Sequence, residues 1–218
     1  ELVLVGRMGN ALAAMLGGEI DPLAKFAEMR RSQQLETLFE DSISYRGSRL
    51  AVGELPETLV RRLPVNRTLR ILEVCAGHSS IPRQLGHRVN PSLINYVLAH
   101  AGADICDHLR HEYQEDDWVC VADIDYAPLT LKAKSSLPSA YDVVIIRHVL
   151  NSLADPKGML AWAQQCMAGG GVLAVVEGYA DLAAELVWGA HRLLPPQAWQ
   201  NELEALGFDE VKIGRAHV

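Results

Sequence analysis

The chain has 218 residues, is 49% hydrophobic and carries a formal net charge of −7. That length gives one large domain, or one domain with a cap, with apolar surface for a sizeable core. An acidic balance without a basic tail or stripe excludes nucleic acid and anionic membrane surfaces as expected partners, and no apolar run reaches the roughly 18 residues of a membrane span.

The first 64 residues are helical in character. Leu12, Met15 and Leu16 recur at helical spacing, and Gly17-Gly18 ends that helix. Asp21-Pro22 starts the next, with Asp as N-cap and Pro at the first helical position. Phe26, Met29, Leu35, Leu38 and Phe39 continue an apolar stripe; residues 44–48 read as a loop, and 56–63 as a helix stopped by Pro64. The chain begins at Glu1 rather than Met, so it reads as a piece of a longer polypeptide, with a helical cap over 1–68 and a core domain over 69–218.

From Leu69 the pattern becomes strand–helix alternation. Residues 69–74 (LRILEV) form a short buried strand, Ala76-Gly77 a turn, and 80–86 a helix. Strands follow at 95–99, 118–122, 141–146, 172–176 and 208–213, with helices at 104–112, 155–167 and 196–206. Gly169-Gly170-Gly171 ends the second of those helices and Gly207 caps the third. The runs 71–74, 143–146 and 172–176 are expected as adjacent central strands of a doubly wound, mostly parallel α/β sheet with right-handed crossovers. A strand feeding a tight turn and a helix is how such a sheet offers backbone N–H groups to a ligand, and Glu73 ends the strand where an acid belongs. The G-x-G-x-x-G spacing of dinucleotide enzymes is absent, which disfavours hydride transfer.

The cysteines Cys75, Cys106, Cys120 and Cys166 lie far apart without C-x-x-C spacing, so reduced cytosolic thiols are expected, and a cytoplasmic location with them. His87, His108, His111, His191 and His217 have no convergent ligand spacing, although His108 and His111 share a helix face with Glu112 nearby; no metal is expected.

Six stretches in order resemble the carbon-methyltransferase domain of polyketide synthases, a class I S-adenosylmethionine fold of Rossmann-like type. They are AMLGGEIDPLAKF, LRILEVCAGHSS, VADIDYAP, YDVVIIRHVLNSL, GGGVLAVVEGY and WQNELEALGFDEVKI. The resemblance implies a cofactor site built from Glu73, Cys75, Gly77, His78, Ser79, His100 and Asp123. Cys75 stands where the family has Gly, and His78-Ser79-Ser80 replaces its Thr-Gly-Gly, so side chains are expected in space the methionine moiety needs. His100 falls where an acid grips the ribose hydroxyls, with Asp104 as an alternative acid; a neutral imidazole cannot accept the two charge-assisted hydrogen bonds a carboxylate takes. Asp123 matches the acid facing adenine, and also reads as a simple strand-end turn residue.

The family's chemistry, as the resemblance implies it, is removal of the α-proton of a β-ketoacyl thioester by a His–Glu dyad, followed by methyl transfer. Asn151 occupies the His position and Glu177 the Glu position. Asn has no basic lone pair at neutral pH, and loss of a general base costs typically 10²–10⁴-fold, roughly 3–5 kcal/mol. His148 is the adjacent candidate substitute, and Glu177 alone also reads as a structural acid. The resulting expectation is a pseudo-methyltransferase domain of a modular polyketide synthase. It would hold no S-adenosylmethionine and act as a structural element beside neighbouring synthase domains and an acyl carrier protein. The alternatives are an active S-adenosylmethionine-dependent C-methyltransferase and a free-standing small-molecule methyltransferase.

Overall fold

A strand whose odd and even side chains are both apolar must be covered on both faces, and the central strands meet that condition. The computed structural model describes residues 2–21, 24–25, 43–134, 136–178 and 194–214. In chain order the elements are α1 (Leu2–Leu16), α2 (Ile43–Val60), β1 (Leu69–Cys75), α3 (Ile81–Gly86), β2 (Ile94–His100), α4 (Ala103–Glu112), β3 (Val119–Tyr126), β4 (Leu129–Ala133), β5 (Tyr141–Arg147), α5 (Pro156–Cys166), β6 (Met167–Val176) and α6 (Pro196–Ala205). Internal contacts divide the chain into two compact units, residues 48–177 and residues 1–47 with 178–218.

The sheet of the first unit runs β4-β3-β2-β1-β5-β6, parallel except where β4 turns back along β3. This is the doubly wound, mostly parallel arrangement the alternation predicts. Leu69, Ile71, Tyr96, Leu98, Val143 and Ile145 pack on one face with Ile81 and Leu85 of α3, Cys106 and Leu109 of α4, and Val52 and Val60 of α2. The intervening residues Leu72, Val74, Val97, Val144 and Ile146 are fully buried as well, and α5 packs against β5 and β6. The register sets Cys75 beside Arg147 and His100 beside Asp123, so four polar or reactive residues line up at the carboxyl edge of the strands.

Several local expectations are corrected. Residues 44–48 are helical, because α2 runs unbroken from Ile43 to Val60 and carries Pro56 inside it. Burial of Val52, Pro56 and Val60 on one side holds that helix despite the missing proline N–H. The strand at 172–176 is adjacent to β5 as expected, but it starts at Met167 and is an edge strand of the sheet among the described residues, half-buried rather than central. The three glycines do not end the strand pairing; Gly170 at φ +75° forms an irregularity within it. No strand forms at 208–213, where Gly207 (φ +86°) and Glu210 (φ +54°) break the extended backbone. The hairpin strand β4 was not read from the sequence. The apolar positions 26, 29, 35, 38 and 39 lie outside the described residues. No helix among the described residues is long and apolar enough to cross a membrane.

Candidate functional site

β1 delivers Glu73 to the base of the turn at 76–80, and its carboxylate is fully buried. A buried carboxylate needs donors, and four contacts supply them. The Ser79 hydroxyl sits 2.9 and 2.8 Å from its two oxygens, the Tyr96 hydroxyl donates to Oε2 at 2.7 Å, and Arg147 Nε donates to Oε1 at 2.7 Å. Arg147 is 2% exposed and also reaches the His78 carbonyl at 3.4 Å through Nη2. The result is a buried ion pair locked to the turn. The Tyr96 hydroxyl is held well above its ordinary pKa, first by burial and then by the Glu73 charge.

The turn itself is tied on every side. The Cys75 thiol donates to the Gly77 carbonyl at 2.8 Å. The Ile81 amide donates to Ser79 Oγ at 3.3 Å, and Ser80 Oγ accepts from Gln84 Nε2 at 2.9 Å and Arg49 Nη1 at 3.3 Å. Tyr113, at the end of α4, donates its hydroxyl to the Ser79 carbonyl at 2.7 Å. The His78 side chain turns toward α4, with Nδ1 3.2 Å from Glu112 Oε2. Ser79 therefore points down to Glu73 and His78 points sideways to α4.

At the ends of β2 and β3, His100 is 7% exposed and its Nδ1 accepts the Gly102 amide at 2.8 Å. That bond assigns the lone pair to Nδ1 and the proton to Nε2. Asp123, its register partner, is ion-paired with Arg110, which also binds Asp107 at 2.8 Å. Asp104 lies exposed in the first turn of α4. The buried Cys106 thiol beneath them donates to the His100 carbonyl at 3.2 Å and is pushed up to about 12, by burial first and the Asp123 charge next.

After β5 the chain makes a short 3-10 turn, Leu150–Ser152, which carries Asn151. Glu177, just beyond β6, accepts the Val149 and Leu150 amides, both at 2.7 Å on Oε1. The structure thus brings Glu177 to the turn bearing Asn151, where it caps backbone N–H groups. His148 is 6% exposed, adopts φ +56° and donates its amide to the Val176 carbonyl at 2.8 Å. Burial, and then the Arg147 charge, holds its imidazole well below its ordinary pKa, so it is a poor proton acceptor.

Sequence reasoning missed Arg147, Tyr96 and Arg110, which hold the two acids. A charged residue closing the apolar run VVIIR was the available signal, since a buried cation requires a buried anion.

A family described as methyltransferase domain matches residues 49–213. The lovastatin diketide synthase lovF of Aspergillus terreus (strain NIH 2624 / FGSC A1156) is 23% identical over 231 residues, covering 96% of this chain and 9% of that protein. The chain thus spans under a tenth of that relative. Among solved structures, the CurJ carbon methyltransferase superposes with a TM-score of 0.76 at 22% identity, over 97% of this chain and 62% of that one. The CMeT domain of the citrinin polyketide synthase gives 0.78 at 15% identity, over 94% and 58%.

Proposed function

The chain belongs to the methyltransferase domain family, and from that premise we propose that it is a pseudo-methyltransferase domain of a polyketide synthase. In this reading it keeps the fold, does not transfer a methyl group, and serves as a structural element beside neighbouring synthase domains and an acyl carrier protein. The observation that carries the reading is the turn after β5. By the resemblance Asn151 stands where the family has its base, and in that turn one oxygen of the Glu177 carboxylate accepts two backbone amides. His148 does not substitute well, being buried and depressed in basicity.

S-adenosylmethionine does not fit the donor set in this reading. The end of β2 carries the imidazole of His100 where, by the resemblance, the ribose hydroxyls call for a carboxylate, and Asp123 is engaged by Arg110. Glu73 is fully consumed within the protein. A second reading, an active C-methyltransferase on a carrier-bound β-ketoacyl thioester, draws on the presence of Asp123 and Glu177 at the matching positions.

The test is a mass-spectrometric assay of the chain with S-adenosylmethionine and a β-ketoacyl thioester on an acyl carrier. No methylated product is expected from the natural sequence, and none from Asn151→His, because both halves of the site are altered. Product from the unaltered chain overturns the inactive reading. Product from Asn151→His alone shows that only the base is missing.

A further inference from the structure

We propose that His78, His108 and Glu112 form a binding site for a divalent transition ion of the zinc class, tying the turn after β1 to α4. One ligand atom from each residue lies within 4.8 Å of the other two. His108 and Glu112 are one helical turn apart and so share a face of α4. His78 arrives from the turn 30 residues earlier in the chain.

Distances favour an ion. In a tetrahedral site with ligand bonds of about 2.0–2.1 Å, neighbouring ligand atoms are roughly 3.4 Å apart. His78 Nδ1 and Glu112 Oε2 already stand 3.2 Å apart. His108 is exposed, and its ring centroid stands 6.3 Å from that of His78.

Bonding favours it too. Glu112 is 11% exposed; its Oε1 is taken by Arg83 at 2.5 Å, whereas its buried Oε2 accepts no hydrogen bond among the described residues. Its near neighbour is His78 Nδ1 at 3.2 Å, outside hydrogen-bond geometry, and a cation between the carboxylate and the two imidazoles would satisfy both groups.

Preorganisation is provided by neighbours. Arg83 binds the carboxylate, and Arg147 and Tyr113 hold the backbone at and just after His78 through the His78 and Ser79 carbonyls. Two imidazoles and one carboxylate suit zinc, cobalt or nickel rather than magnesium or calcium, and three protein ligands leave an open position. Spacing along the sequence hides the site because its third ligand is remote.

The test uses the untagged 218-residue chain, stripped with chelator and titrated with Zn²⁺ by calorimetry and with Co²⁺ by visible absorption. One Zn²⁺ per chain is expected, with a micromolar or tighter dissociation constant, together with a Co²⁺ spectrum free of thiolate charge-transfer bands. His78→Ala and His108→Ala should each weaken binding at least tenfold, while His111→Ala, on the same helix but outside the cluster, should bind like the parent. His108 is exposed, so His108→Ala keeps the test valid if His78→Ala fails to fold by circular dichroism. Absence of binding to the parent chain, undiminished binding in His108→Ala, or a thiolate band reporting the cysteines would overturn the proposal.

Discussion

Arg147 illustrates what one residue decides. Its guanidinium and the Glu73 carboxylate are 2% and 0% exposed, so neither charge has water to fall back on. Removing one partner of such a pair typically costs about 3–5 kcal/mol, whereas replacing both with neutral groups costs far less. Arg147→Met is therefore expected to lower the urea midpoint strongly, and Glu73→Gln with Arg147→Met to recover much of the loss. Equal midpoints for the single and double variants would show that the pair does not hold the turn. Asp142 makes a second residue-scale case, this time toward solvent. It accepts from the Arg70 amide and guanidinium and from Arg67, and the Arg70 hydrogen bonds first of all bring its pKa down to about 2. A folded pKa below the unfolded one means that its stabilisation is present above pH about 4 and is lost as pH falls toward about 2. Allowing for solvent at the two arginines, that is roughly 1–2 kcal/mol. Asp142→Asn should flatten the stability curve over that window, as measured by denaturant titration at several pH values. The thiols add a chemical check. Cys106 is pushed up to about 12 and Cys166 to about 11, burial being the first cause in each. Both should resist alkylation by iodoacetamide at pH 8 and react once urea is added.

At the scale of an element, β6 shows how a glycine run is used. Gly171 lies where its pairing with β5 shifts register, and a Cβ there would stand 3.0, 3.1 and 3.2 Å from the carbonyl oxygens of Ala168, Asp142 and Tyr141. Those oxygens belong to backbone and cannot rotate away. Gly171→Ala is expected to destabilise the domain by about 1–3 kcal/mol, read as a lowered urea midpoint with unchanged slope. An unchanged midpoint would mean that the outer strand yields freely. The sequence presents these glycines as the end of the helix over 155–167, whereas they lie inside the strand that follows it. α5 does end at Cys166, but the backbone freedom of Gly170 and Gly171 lets extended pairing continue through the irregularity. Elsewhere the legible signals were apolar runs. β1, β2, β3 and β5 follow from them within a few residues, whereas α2 overrode a loop-like stretch and its proline through packing of Val52 and Val60.

For the whole molecule, the question is whether a cofactor still couples to folding. A ligand that binds only the folded state at a hundred times its dissociation constant adds about 2.7 kcal/mol. For a domain near this size each kcal/mol moves Tm by roughly 2–4 °C, so a functional site would give an obvious thermal shift. Millimolar S-adenosylmethionine is expected to leave Tm unchanged, as the engaged Glu73 and Asp123 and the imidazole of His100 in place of a carboxylate argue. A rise of several degrees would return the chain to the active reading. The same assay with Zn²⁺ reports the proposed metal site independently.

The sequence by itself determined the central parallel strands, because a run such as VVII has one low-energy fate, burial on both faces between neighbours of the same kind. It also placed Cys75, His78, Ser79, His100 and Asn151 in stretches that resemble the family's motifs. Only the tertiary structure decided what those side chains do. Ser79 meets Glu73 and Tyr96, Arg147 joins the same carboxylate from a strand 74 residues away, and His78 faces Glu112 on a helix 34 residues on. Backbone pattern follows from local periodicity and burial. The partner of a buried charge or an imidazole follows from which strand ends and helix faces the topology brings together, and side-chain direction at a turn is fixed only once those partners are in place.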